Sequence, residues 1–153
     1  MRDIKFGGKR TDNEEWVFGD LLQVKYSDGR IFTSIIDQTP CAINHPVHEN
    51  SVVQYIGEKD KNNKEIYENY IVKWKEPASI LDEYILGVIK WNKGGFKLQQ
   101  ISESKMCFQE ELQRRDAFCF DMKFYSQDGQ EFKWEDVEVI GNIFDNPELL
   151  KIK

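Results

Sequence analysis

Val53-Gln54-Tyr55-Ile56-Gly57-Glu58-Lys59-Asp60-Lys61-Asn62-Asn63-Lys64-Glu65-Ile66-Tyr67-Glu68-Asn69-Tyr70-Ile71-Val72-Lys73 decides the fold. Val52 to Ile56 is a run of β-branched and aromatic residues, the composition of a strand. Asn62-Asn63 then marks a turn, because Asn enters the left-handed region more readily than other residues with a Cβ. Beyond it, Ile66 to Trp74 reads as one extended run, with Tyr70, Val72 and Trp74 on one face and Ile71 on the other. The stretch is therefore a hairpin.

The same grammar repeats on both sides. Trp16, Phe18, Leu22, Val24 and Tyr26 share a parity, as a strand with one buried face requires. Asp28-Gly29 turns that strand, since Gly takes a positive φ without a Cβ clash, and Ile31 to Ile36 runs back. Gln38 to Asn50, with Pro40, Pro46 and both histidines, reads as a loop. Tyr84 to Trp91, a turn over Asn92 to Gly95, and Phe96 to Leu98 form a further hairpin. Phe118, Phe120, Met122 and Phe124 alternate with polar or small residues up to Asp128-Gly129, and Phe132 to Trp134 returns. Val137 to Phe144 is the last strand, and Gly141 inside it predicts a bulge or a close backbone approach. Helix is expected only over Ser102–Arg115 and Asn146–Leu150, the second with Asn146 as cap and Pro147 at the first helical position. Hairpins joined in series predict a mainly β chain, α+β only through its minor helix, built on a small antiparallel barrel.

The 153 residues fit one domain, 1–153, within which an N-terminal β sub-region 1–50 and a barrel core 51–153 can be told apart. Ten Phe, six Tyr and four Trp supply a core that a disordered chain lacks. Cys41, Cys107 and Cys119 are too few and too scattered for a disulfide scaffold. Met1 to Arg10 has no apolar core of a signal peptide, and no apolar run reaches the roughly 18 residues of a membrane helix. A cytoplasmic setting and no membrane partner are expected. The net charge of −6 argues against a generic duplex binder, whose affinity comes from released counterions. The lysines of Lys59–Lys75 are interleaved with Asp60, Glu65 and Glu68, the pattern of a solvated face of mixed charge.

Candidate chemistry is sparse. Cys41, His45 and His48 form a Cys-x3-His-x2-His set that could hold zinc. Structural zinc wants a fourth ligand, and Cys107 and Cys119 are distant in sequence, so the simplest reading is an ordinary surface loop and no cofactor. A nucleophilic enzyme needs a base and an orienting group, and only these two histidines are available. Glu110-Glu111 and Glu135-Asp136 are adjacent pairs, which do not converge on one substrate in regular structure. No phosphate loop, dinucleotide fingerprint or calcium loop is present. No catalytic residue is assigned, and a hydrolase or metal-dependent enzyme ranks last. Trp74, Trp91 and Phe96 are the binding candidates, since small barrels recognise peptides or nucleic acid through such side chains. Core packing is the simpler role for them. A homo-oligomer through an edge strand or an exposed apolar patch is also expected.

Several blocks together resemble the YopX family of phage and prophage proteins. They are Arg2-Asp3-Ile4-Lys5-Phe6, Trp16-Val17-Phe18-Gly19-Asp20, Tyr55 to Val72, Gly87-Val88-Ile89-Lys90-Trp91, and Ile140-Gly141-Asn142-Ile143-Phe144-Asp145-Asn146-Pro147-Glu148-Leu149-Leu150. The resemblance runs nearly end to end. It implies an SH3-like small β-barrel with additional hairpins, encoded by a phage or integrated element and working in the bacterial host cell. It implies no biochemical activity. The expected function is a non-enzymatic accessory or interaction module for an unknown protein partner, with a nucleic-acid-binding barrel as the alternative. Two departures stand out: the family's Asn-Gly turn is Asn62-Asn63 here, and its Tyr-Glu-Gly-Asp is Tyr67-Glu68-Asn69-Tyr70.

Overall fold

The computed structural model describes residues 3–75, 84–92, 94–101, 119–121 and 134–151. Eleven strands are present among them: β1 (Phe6–Lys9), β2 (Trp16–Lys25), β3 (Ile31–Asp37), β4 (Asn44–Pro46), β5 (Val53–Lys59), β6 (Glu65–Tyr67), β7 (Tyr70–Lys75), β8 (Tyr84–Asn92), β9 (Gly95–Gln100), β10 (Cys119–Asp121) and β11 (Glu138–Asn142). They make two antiparallel sheets, ordered β4-β3-β2-β1-β5-β6 and β10-β9-β8-β7-β11. Among the described residues, helix is confined to short 3-10 segments at Glu49–Ser51, Trp134–Asp136 and Pro147–Lys151. The expected helix over Ser102–Arg115 lies outside the described residues, as do Phe118, Met122, Phe124 and the Asp128-Gly129 turn.

The chain divides into two compact units, 1–57 and 58–153. The division falls inside β5, at Gly57, whose φ of 96° is a conformation that a residue with a Cβ rarely adopts. In the first unit the hairpin read around Asp28-Gly29 is present. Tyr26 N donates to Arg30 O, and β2 pairs with β3 from Gly19↔Asp37 to Lys25↔Ile31. Ile35, Val47, Val53, Tyr55 and Ile56 are buried. The loop read over Gln38–Asn50 is not all loop. Asn44–Pro46 pairs with Ser34–Ile36 as an edge strand, a place where Pro is tolerated because no ladder donor is missed.

In the second unit, Ile71, Val72, Val88, Ile89, Phe96, Leu98, Val137 and Val139 are buried. The turn at Asn62-Asn63 is built as read, with Asn63 at φ 63°. What organises it is Asp60, only 5% exposed. One carboxylate oxygen accepts the backbone N–H groups of Asn62 (2.8 Å) and Lys64 (2.9 Å), and the other accepts Val139 N–H at 3.0 Å. Burial pushes this carboxyl up, but the N–H groups of Val139, Lys64 and Asn62 outweigh it and hold the pKa below the ordinary value. Asp60 thus ties the turn to β11.

Ile66 to Trp74, read as one strand, is two. Glu68-Asn69 breaks it, with Asn69 at φ 64°, so that β6 joins the first sheet and β7 the second. The break is anchored by Asn69 N–H donating to Ile89 O (2.7 Å) and by Asn69 O accepting from Ile143 N–H (3.0 Å). β6 and β7 thus serve different sheets, and among the described residues the strand order of neither sheet returns on itself as the expected barrel requires, although β4 meets the end of β1 through the Arg10↔Val47 bridge and Thr11 N–H on Pro46 O (3.1 Å).

Gly141 marks the bulge that its position predicts. The β11–β7 register slips between Val139↔Val72 and Gly141↔Ile71, which leaves Ile140 as the extra residue. A Cβ at Gly141 would collide with Asn146 Oδ1. Asn146 does not cap the following segment through its side-chain oxygen as read. That oxygen turns back toward Asn142 N–H at 3.4 Å, and the segment Pro147–Lys151 is a 3-10 turn closed by Leu149 N–H on Asn146 O.

Candidate functional site

The histidine loop belongs to the first unit. His45 sits in β4 opposite Ile35, and its Nε2 lies 3.0 Å from Asp37 Oδ2. Asp37 also accepts the Thr39 hydroxyl at 2.6 Å and Ile43 N–H at 3.0 Å. The Thr39 hydroxyl first, then His45, draws the Asp37 carboxyl down to about 2. His48 lies beyond the end of β4, and its Nε2 pairs instead with Glu14 Oε1 at 2.8 Å on the surface. Cys41 is exposed with a free thiol. The two histidines are thus committed to different carboxylates, and among the described residues no group of three His, Cys, Asp or Glu side chains stands together as a metal site would need.

The aromatic candidates belong to the second unit. Trp91 and Phe96 face each other across β8 and β9, ring centroids 4.9 Å apart at 76°, an edge-to-face pair. Their register puts them on the face that carries Ile89 and Leu98. Phe96, Ile89 and Leu98 are buried, whereas Trp91 is 52% exposed. Trp74 is half-buried and pairs with Ile85 at the other end of β8. Ile85 and Trp91 are six residues apart, about 20 Å at the rise of a strand. The structure therefore joins Trp91 with Phe96 and leaves Trp74 apart.

Around Trp91 the turn at Glu68-Asn69 closes in. Glu68 Oε1 accepts Trp91 N–H at 3.4 Å, and Asn69 Oδ1 accepts from Lys90 Nζ at 2.7 Å. Lys90 stands directly opposite Lys97 on the other face of the hairpin. Tyr70 beside this turn is buried, and burial, with the carboxylates of Asp145 and Glu65, holds its phenol well above the ordinary range and therefore neutral. The arrangement offers a flat aromatic surface next to one carboxylate, a geometry suited to contact. Glu68 and Asn69 are the residues that reading the sequence as a continuous strand missed. The signal available was an Asn where the family pattern has Gly.

The model of the YopX protein family matches residues 5–151. The chain belongs to the YopX family. The crystal structure of protein EF1440 from Enterococcus faecalis is similar to this YopX chain at 20% sequence identity and a TM-score of 0.50, covering 98% of this chain and 99% of that one. At that identity the likeness concerns the fold. No curated protein matches. Among the described residues of the YopX chain, no helix is long and apolar enough to cross a membrane.

Proposed function

We propose that this YopX protein is a non-enzymatic interaction module of a phage or prophage, working in the host cytoplasm, with Trp91 at the end of β8 as its principal contact. The observation that carries this reading is the exposure of the Trp91 ring beside a buried row on the same face. Burying a half-exposed indole gives a partner both apolar area and an indole N–H donor. An SH3-like curl of the second sheet, short of closure, belongs to the same reading, and the bulge at Ile140 favours it because bulges bend a strand and increase its twist. A photo-crosslinking residue at position 91 in the host cell tests the reading. A discrete adduct absent from a control at exposed Asn50 supports it, and equal labelling at both positions counts against it.

A second reading, nucleic-acid binding, draws on Lys90 facing Lys97 across β8 and β9. Two cations on one face of a hairpin are side chains of the kind that contact phosphates. Anisotropy of a labelled single-stranded oligonucleotide tests it. Affinity that falls steeply with salt and drops in Lys97→Ala favours this reading, and no binding at low salt removes it.

A further inference from the structure

The β2–β3 hairpin of the first unit outruns its neighbours. β1 covers β2 only from Trp16 to Gly19, so beyond that point β2 pairs with β3 alone among the described residues. On the other side β4 reaches only Ser34 to Ile36. Residues 23–31 are all exposed, including Val24 (38%), Tyr26 (47%) and Ile31 (47%). A two-stranded ribbon of this kind is marginal in water, and the free edge of β2 presents a row of backbone donors and acceptors. Edges left solvent-facing are usually blunted by Pro, a bulge or charged side chains, Lys above all. Between Leu21 and Tyr26 there is no Pro and no bulge, and Lys25 is the one charged residue.

We propose that this edge pairs with the same edge of a second copy, giving a two-fold dimer through antiparallel β2 strands. The sequence of the edge is self-complementary about Val24. A two-fold axis perpendicular to the sheet keeps residues of one parity on one face, as antiparallel pairing requires. Centred on Val24, it sets Val24 against Val24 of the copy and Leu22 against Tyr26 in both directions. Gln23 faces Lys25 on the other side of the sheet. Across Leu22–Tyr26 apolar side chains then meet only apolar or aromatic ones and no like charges stand opposite; the pairing stops there, before Asp20 would meet Asp28. The lane beside Gly19 stays with β1, so the register does not displace the strand already there. Such a contact goes beyond the Trp91 reading and uses the other unit.

Light scattering coupled to size exclusion, at tens of micromolar protein, tests it. The expected mass is twice 18.1 kDa, and Val24→Lys, which sets two ammonium groups face to face, weakens the dimer by roughly tenfold or more. Leu22→Lys gives the same result from a different position. Trp91→Ala retains the dimer, which separates this contact from the one proposed at β8. A wild-type mass of 18.1 kDa overturns the proposal. So does a dimer that persists in both lysine variants. Circular dichroism of each variant shows that the fold is kept, as expected at exposed Val24 and Trp91 and at half-buried Leu22, where a Lys stem can reach solvent.

Discussion

Two asparagines stand where the family pattern carries glycine, and both occupy left-handed backbone: Asn63 at φ 63° and Asn69 at φ 64°. Asn is the residue with a Cβ that enters this region at least cost, so both departures keep the turn geometry intact. Asn63→Ala is expected to lose about 1 kcal/mol in urea denaturation, whereas Asn63→Gly stays within about 1 kcal/mol of wild type. Asn69 differs, because its side chain also accepts from Lys90, so Asn69→Gly should gain in backbone freedom and lose that bond. Asp60 is the more demanding position. Asp60→Asn removes the charge that three N–H groups converge on, and roughly 1.5–3 kcal/mol is expected to go with it, read from the urea midpoint at constant slope. The sign with pH follows. Asp60 and Asp37 both have folded pKa values below the ordinary 3.8. Their contribution is therefore full above that value and is lost as pH falls through the folded ones, toward about 2 for Asp37. Carboxyl chemical shifts measured from pH 5 downward should show both groups titrating late; a midpoint at or above 3.8 for either would contradict its hydrogen bonding.

Elements are set by what interrupts them. Gly57 holds a positive φ within β5, and a Cβ there meets no atom within 4 Å, so any penalty in Gly57→Ala comes from the backbone alone. About 1–2 kcal/mol is expected, measured by thermal or chemical unfolding. Gly141 is the opposite case. Its φ lies outside the left-handed region, but Asn146 occupies the space of a Cβ. Gly141→Ala should cost roughly 1–3 kcal/mol through overpacking. A double-mutant cycle with Asn146→Ala should show a coupling of 0.5 kcal/mol or more, on the order of that seen for residues in contact. Additive losses would mean that the bulge, not the clash, limits the site. At this scale β2, β3, β5, β8, β9 and β11 were legible in the sequence, since they show β-branched and aromatic runs between turn residues. β4 was not, because three residues containing a Pro carry no period.

For the whole molecule, exposure separates the role of Trp91 from that of its neighbour. Phe96→Ala empties a buried position and should cost roughly 3–5 kcal/mol. Trp91→Ala forfeits mainly the edge-to-face contact, about 0.5–1.5 kcal/mol. Of the four tryptophans, Trp91 alone is exposed, the other three being half-buried. Acrylamide quenching of intrinsic fluorescence should therefore fall clearly in Trp91→Phe and change little in Trp74→Phe; equal effects would place the two rings in similar surroundings. Period-two runs and turn residues determined by themselves that the chain is mainly β, antiparallel and poor in helix, because side-chain alternation and left-handed turn preferences are local properties. The motif blocks likewise sufficed for the family. Tertiary structure alone decided that Ile66 to Trp74 serves two sheets, since the preference for reversal at Asn69 is weak until Ile89 and Ile143 receive its backbone groups. It alone decided that His45 and His48 answer to Asp37 and Glu14, and that Trp91 rather than Trp74 reaches solvent. Those outcomes depend on which strand lies alongside and where it ends, and pairing across distant segments leaves no period in the chain.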